Sequence, residues 1–173
     1  MTTSDANDRF ANWLDQHGGA AVQVARAYTL NESDREELTQ EILMQCWTSL
    51  SAFKGDSTLS TWFYRVALNT ALKWKRHDAT RRVRVGSPIE IEIVPDAQES
   101  VERRLQQDES IRQLNNAIRT LPQSDRALVL LHLDRLSYRE IAEVLGISES
   151  NVGVRLHRIR RQLREMMGDE SDD

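Results

Sequence analysis

Between Ser150 and Arg164 the chain gathers Ser150, Val154, His157, Arg158 and Arg161 on one side of a helical repeat, flanked by Asn151, Arg155 and Arg164. Guanidinium groups neutralise phosphates and amides can pair with base edges, so this side suits the groove of duplex DNA. The opposite side is apolar: at 100° per residue Val152, Leu156, Ile159 and Leu163 fall within about 60° of one another. Ser148 stands where a side chain caps this helix. Just upstream, Ser137 and Glu140 have the spacing of a capping box, Ile141, Ala142 and Leu145 form an apolar stripe, and Gly146 can end a helix in the left-handed conformation. Two short capped helices joined by a tight turn make a helix-turn-helix. A lone basic helix would read as a solvated face; caps, glycine stop and arginines together point to DNA.

A second set of side chains suits nucleic acid in another form. From about Thr58 to His77, Leu59, Phe63, Val66, Ala67, Thr70 and Trp74 share one helical side, while Arg65, Asn69, Lys73 and Arg76 line a face that includes Trp62. Cations meet phosphates, an asparagine amide meets a base edge, and an aromatic ring can stack on an unpaired base. Trp62 reads equally well as a ring that closes the core. The preceding loop, with Lys54, Gly55, Asp56, Ser57 and Thr58, is small and polar enough to receive a flipped-out base.

A third face is acidic. Ser33 and Glu36 have the spacing of another capping box, and Leu38, Thr39, Ile42, Leu43, Cys46 and Leu50 cluster on one side of the helix that follows. The other side carries Asp34, Glu37, Gln40, Glu41 and Met44. Acids alone would read as a solvated face; an exposed methionine among them suggests protein docking. Cys46, on the inward side, reads as a small core residue.

Composition bounds the protein that must hold these faces. With seven Gly and three Pro in 173 residues and 39% hydrophobic content, long stretches run unbroken and an all-α protein is expected. A single cysteine excludes an internal disulfide, and four scattered histidines lack metal-ligand spacing, so no metal or cofactor is expected. No paired acid-base, nucleophile or phosphate-loop constellation suggests an enzyme. Neither a membrane-spanning run nor a signal peptide is present, which points to the cytoplasm. The formal net charge of -4 conceals segregation. Residues 62–84 hold seven Lys/Arg against Asp78 and residues 150–167 five Arg against Glu165, whereas residues 31–41, 90–102 and the tail 169–173 are acidic. Segments of opposite sign have different partners.

Helices are expected over about 6–16, 19–30, 33–53, 58–77, 100–120, 123–134, 137–145 and 149–167. Gly86, Pro88 and Pro95, with the change of charge, place an extended linker in residues 78–107. Within it, Ile89-Glu-Ile-Glu-Ile93 alternates like an edge strand but has no evident partner. Two small helical domains result, 1–77 and 108–173, the second containing the helix-turn-helix and ending in the acidic tail.

The order of parts is distinctive: Asp34-Arg-Glu-Glu-Leu-Thr-Gln-Glu41, Lys54-Gly-Asp-Ser-Thr58, Thr61-Trp-Phe-Tyr-Arg-Val-Ala67, Leu121-Pro-x-x-x-Arg126, then Ser137-Tyr-x-Glu-Ile-Ala-x-x-Leu-Gly146. The chain resembles the extracytoplasmic-function group of bacterial sigma-70-family RNA polymerase sigma factors, over most of residues 20–167. The resemblance implies a region 2 domain that docks on the beta-prime clamp helices of core RNA polymerase and opens the minus-10 element. It also implies a region 4 domain on the minus-35 element and the beta flap, and it admits an anti-sigma factor as a further partner. Glu37, Gln40 and Glu41, with Met44 beside them, match the docking motif. Lys54, Asp56, Ser57, Thr58, Trp62, Arg65, Asn69, Lys73 and Arg76 fall to the minus-10 site. Ser150, Asn151, Val154, Arg155, His157, Arg158, Arg161 and Arg164 fall to the minus-35 site. Gly153 and Val154 depart from the common Lys-Ser of the family, and Arg135 replaces a common turn glycine. The two promoter elements lie roughly 60 Å apart. A thirty-residue linker spans at most about 100 Å, and its acids Glu90, Glu92, Asp96 and Glu99 suit a basic polymerase channel. The alternative is a dimeric helix-turn-helix regulator that binds duplex DNA without polymerase, which leaves the second basic face unexplained.

Overall fold

The computed structural model describes residues 3–17, 19–85 and 101–167, and the regular structure among them is entirely helical. The backbone divides into two compact units, Met1–Glu92 and Ile93–Asp173. In the first, α1 (Thr3–His17), α2 (Gly19–Tyr28), α3 (Glu32–Ser49) and α4 (Leu59–Val85) pack around one core, with a 3-10 turn over Leu50–Ala52. Ala20, Ala21 and Ala25 of α2 are buried, small enough to let its backbone approach the helices beside it. Leu38, Ile42 and Cys46 of α3 meet Phe63, Ala67 and Ala71 of α4 in the core, and all six are fully buried. Burial pushes the Cys46 thiol up to about 12, which keeps it protonated and inert.

The start of α3 differs from expectation. Asn31, extended at φ -127° and ψ 168°, is the cap: its Oδ1 accepts from the Asp34 amide at 2.8 Å, and its Nδ2 donates to Asp34 Oδ2 at 2.9 Å. Ser33 therefore lies within the first turn. Asp34 turns into this arrangement and is buried, so it leaves the outer acidic face on which the sequence reading put it. Asparagine caps as well as serine does, and the chain becomes helical two residues earlier.

Helix α4 also exceeds its expected end. The Thr58 hydroxyl accepts from the Thr61 amide at 3.1 Å to start it, and no glycine or proline interrupts the chain before Gly86, so the backbone stays helical to Val85. In the second unit α5 begins at Val101, as the expected helix over 100–120 has it. Residues 78–85, expected in the extended linker, are thus helical, and the linker bounds 78–107 overlap helix at both ends. The alternating segment 89–93, the linker acids Glu90, Glu92, Asp96 and Glu99, and the acidic tail lie outside the described residues.

The second unit packs α5 (Val101–Thr120), α6 (Gln123–Leu133), α7 (Tyr138–Leu145) and α8 (Glu149–Met167). Arg126, 6% exposed, donates from Nη2 to the carbonyls of Arg119 and of Leu121, the latter at 3.1 Å, and so satisfies the C-terminal end of α5 from inside the core. The turn between α6 and α7 takes its shape from Arg135 at φ 62°. Leu136 N–H donates to the Leu131 carbonyl and Arg135 N–H to that of His132, both at 3.1 Å, a Schellman closure that usually carries glycine at the left-handed position. The Ser137–Glu140 capping box is present, Gly146 ends α7 at φ 68°, and Ser148 Oγ accepts from the Asn151 amide at 3.3 Å.

Candidate nucleic-acid interface

Ser148 and the burial of Val152, Leu156 and Ile159 fix the rotation of α8. Ser150, Asn151, Val154, His157, Arg158, Arg161 and Arg164 consequently face solvent, with Val154 71% exposed. An aliphatic side chain on this basic face fits contact with a thymine methyl. Arg155 does not join this row. Its side chain is 19% exposed, its Nε donates to Asp125 Oδ1 at 3.0 Å, and its Nη2 donates to the same oxygen and to Ser124 Oγ, the latter at 2.7 Å. Arg158 Nη2 donates to the other oxygen, Asp125 Oδ2, at 3.0 Å while its side chain stays 59% exposed. One buried carboxylate on α6 therefore holds two arginines of α8. Periodicity put Arg155 beside the outer face and could not reveal Asp125, because the partner lies thirty residues upstream.

Two neighbours complete the helix-turn-helix. Arg160 Nη2 lies 2.7 Å from His132 Nε2, and since a guanidinium only donates, this nitrogen accepts and the imidazole is neutral. Burial and the Arg160 charge hold His132 below its ordinary value. Gly153 packs toward Tyr138; a Cβ there would lie 3.5 Å from Tyr138 Cε2, an ordinary contact, so nothing in the backbone demands glycine.

In the first unit Arg65, Asn69, Lys73 and Arg76 are exposed along one face of α4, one turn apart. Trp62, half-buried, has its ring centroid 5.3 Å from that of Phe53 and meets Phe10 edge-on at 5.9 Å. It closes the aromatic core while keeping part of its ring at the surface. Lys54, Asp56 and Thr58 are exposed and Ser57 is half-buried, with Gly55 at φ 81° bending the loop. The Thr58 hydroxyl is engaged in the α4 cap and with Thr61 Oγ1 at 2.8 Å.

On α3 Glu37, Gln40 and Met44 are exposed and Glu41 is half-buried. Trp47 extends this stripe, 55% exposed, three residues after Met44 and with its ring centroid 6.5 Å from that of Phe10. It lies outside the face expected from the sequence, and the three-to-four-residue spacing continued past Met44 reaches it. Among the described residues no helix is long and apolar enough to cross a membrane.

The first unit matches the family model for sigma-70 region 2 over residues 13–81, and the second that for sigma-70 region 4 over residues 111–163. RNA polymerase sigma factor YlaC of Bacillus subtilis is 32% identical over 134 residues, which cover 76% of this chain and 76% of that protein. ECF RNA polymerase sigma factor SigW of the same organism is 28% identical over 172 residues, covering 94% and 90%. The sigma factor RpoE of Bartonella quintana, solved in complex with the anti-sigma factor NepR, shares the fold with a TM-score of 0.74 at 21% identity, covering 94% of this chain and 98% of that one. Two conserved regions in order, on two units whose exposed faces carry the expected charges, place the chain in the extracytoplasmic-function group of the sigma-70 family, factors that bind core RNA polymerase and direct promoter recognition.

Proposed function

We propose that the chain acts in the cytoplasm as a non-catalytic initiation factor. In this reading its first domain docks on the beta-prime clamp helices through Glu37, Gln40, Glu41, Met44 and Trp47. The observation that carries the docking assignment is the outer row of α3, where Met44 at 57% and Trp47 at 55% exposure continue the line of Glu37, Gln40 and Glu41. Apolar side chains on a charged face are the usual mark of a protein contact. The loop 54–58, Trp62 and the row Arg65, Asn69, Lys73 and Arg76 then receive the opened minus-10 strand. The outer face of α8 takes the minus-35 duplex, with Arg155 acting from within to seat the helix on α6. The beta flap contact is assigned to the second domain, and the boundaries 1–77 and 108–173 are refined to the helical limits at Val85 and Val101. Because a solved relative is held by an anti-sigma factor, a protein inhibitor is proposed for this chain as well.

Retention on immobilised core polymerase tests the docking surface. Glu37→Ala with Gln40→Ala, and separately Met44→Lys, are expected to abolish retention while helicity and melting temperature hold. Retention equal to that of the unmodified chain would refute the assignment.

A further inference from the structure

Promoter readers are usually described by the side chains that touch DNA, yet the most constrained group near α8 is a carboxylate on another helix. Asp125 is 4% exposed, and both of its oxygens are occupied, Oδ1 by Arg155 and Oδ2 by Arg158. The two arginines differ in what remains to them. Arg155 spends its Nε and one terminal nitrogen on Asp125 and Ser124 and is largely covered. Arg158 gives one terminal nitrogen to Asp125 and keeps the rest of its fork on the exposed side of α8. A guanidinium held at one corner has lost most of its rotamer freedom, and its remaining donors point in a fixed direction. Reading guanine requires such a fixed, bidentate fork, whereas a phosphate accepts a cation from many directions.

We propose that Asp125 is a positioning residue for promoter discrimination: it aims Arg158 at a guanine edge in the upstream element and withholds Arg155 from the phosphates. The inference rests on the reading that the outer face of α8 lies on duplex DNA. Without the carboxylate, two long cations next to DNA would turn to phosphates. Affinity for any sequence would then rise as discrimination falls. A residue that only stabilised the fold would do the opposite, weakening binding to all sequences alike.

The test uses full-length chain bound to core polymerase and a promoter library randomised through the upstream element. Asp125→Asn is expected to reduce preference for guanine at one position about tenfold, to raise binding to unrelated sequence, and to steepen the salt dependence by about one to two counterions. Asp125→Glu keeps the charge but displaces the oxygens; it should lose part of the preference with the salt dependence unchanged, and it serves if Asp125→Asn fails to fold. Arg158→Ala should lose preference at the same position, and adding Asp125→Asn to it should lose no more. Unaltered preference in both Asp125 variants, or an equal loss on all sequences, would overturn the proposal. Arg161→Ala with Arg164→Ala separates the two levels. If that pair also leaves DNA binding untouched, the placement of α8 on DNA falls; if it weakens binding while the Asp125 variants read promoters normally, only the role of Asp125 falls.

Discussion

Helices α4 and α8 both present rows of cations, but they surround them with different neighbours. Along α8 the exposed cations alternate with small polar groups, His157 and the bare Val154, with no tryptophan, tyrosine or phenylalanine on that outer face, and a buried carboxylate holds Arg158 together with the inner Arg155. Along α4 they stand beside Trp62, itself packed on Phe53 and Phe10, above a polar loop bent at Gly55. In the proposed function charge brings DNA to both faces, and the neighbours decide which form is held. An aliphatic, arginine-forked surface fits base edges in an intact groove, while an aromatic platform fits bases that have left the stack. A net acidic chain tolerates both because its negative charge is carried elsewhere, on α3 among other segments.

The contrast implies unequal costs on the two sides. Trp62→Ala should be the most severe change, destabilising the first unit by about 2–3 kcal/mol as the contacts of the ring with Phe10 and Phe53 are lost, in addition to impairing promoter opening. Urea unfolding followed by circular dichroism measures the first effect. A loss below about 0.5 kcal/mol would show the ring to be purely a surface platform. Val154→Ala is the counterpart on α8: stability should stay within about 0.5 kcal/mol, yet preference for thymine at one upstream position should drop a few-fold. Replacing thymine by deoxyuridine, which lacks the methyl group, should produce the same drop with the unmodified chain and no further drop with the variant.

Arg161→Ala and Arg164→Ala sharpen the division within α8. Arg161 meets the exposed Glu165 at 3.8 Å, on its own helix. Each substitution should reduce the salt slope by about one counterion and leave sequence preference intact; a changed preference would move the reading surface toward the helix C-terminus.

Smaller effects concern the scaffold of the second unit. Arg135→Gly removes a side chain from a left-handed position and Gly153→Ala adds one where space permits, so each should raise stability by about 0.5–1 kcal/mol. His132 is held below its ordinary value of 6.5, so the unfolded chain binds the proton more readily. Its contribution is therefore complete above about pH 6.5 and declines as pH falls from there through the folded value. His132→Gln, which can still accept from Arg160, should make thermal stability less sensitive to acid over that interval.

Much of this architecture could be read from the chain because its signals are local. Ser137 with Glu140, Gly146 and Ser148 act within one turn of their own positions, and the apolar sides of α3, α4 and α8 follow from periodicity alone. What escaped depends on competition or distance. Asn31 displaces Ser33 as the cap of α3 because both are competent and only the backbone conformation chooses between them. Asp34 leaves the acidic face because that cap draws it inward. Arg155 counts as a DNA ligand by spacing and as an internal tether by geometry, since Asp125 is remote in sequence. Trp47 lies beyond the acidic motif that marks the face, so the motif alone does not reach it.

In the proposed function two basic faces on separate units are brought into register by polymerase and not by this chain alone. Footprinting of one promoter fragment with the full-length chain, in the presence and absence of core polymerase, tests it directly. The expected result is weak, salt-sensitive binding without core enzyme, and protection of both promoter elements, with unstacked bases at the downstream one, when core enzyme is added. Tight, specific protection of intact duplex by the chain alone, above all as a dimer on a palindrome, would contradict it.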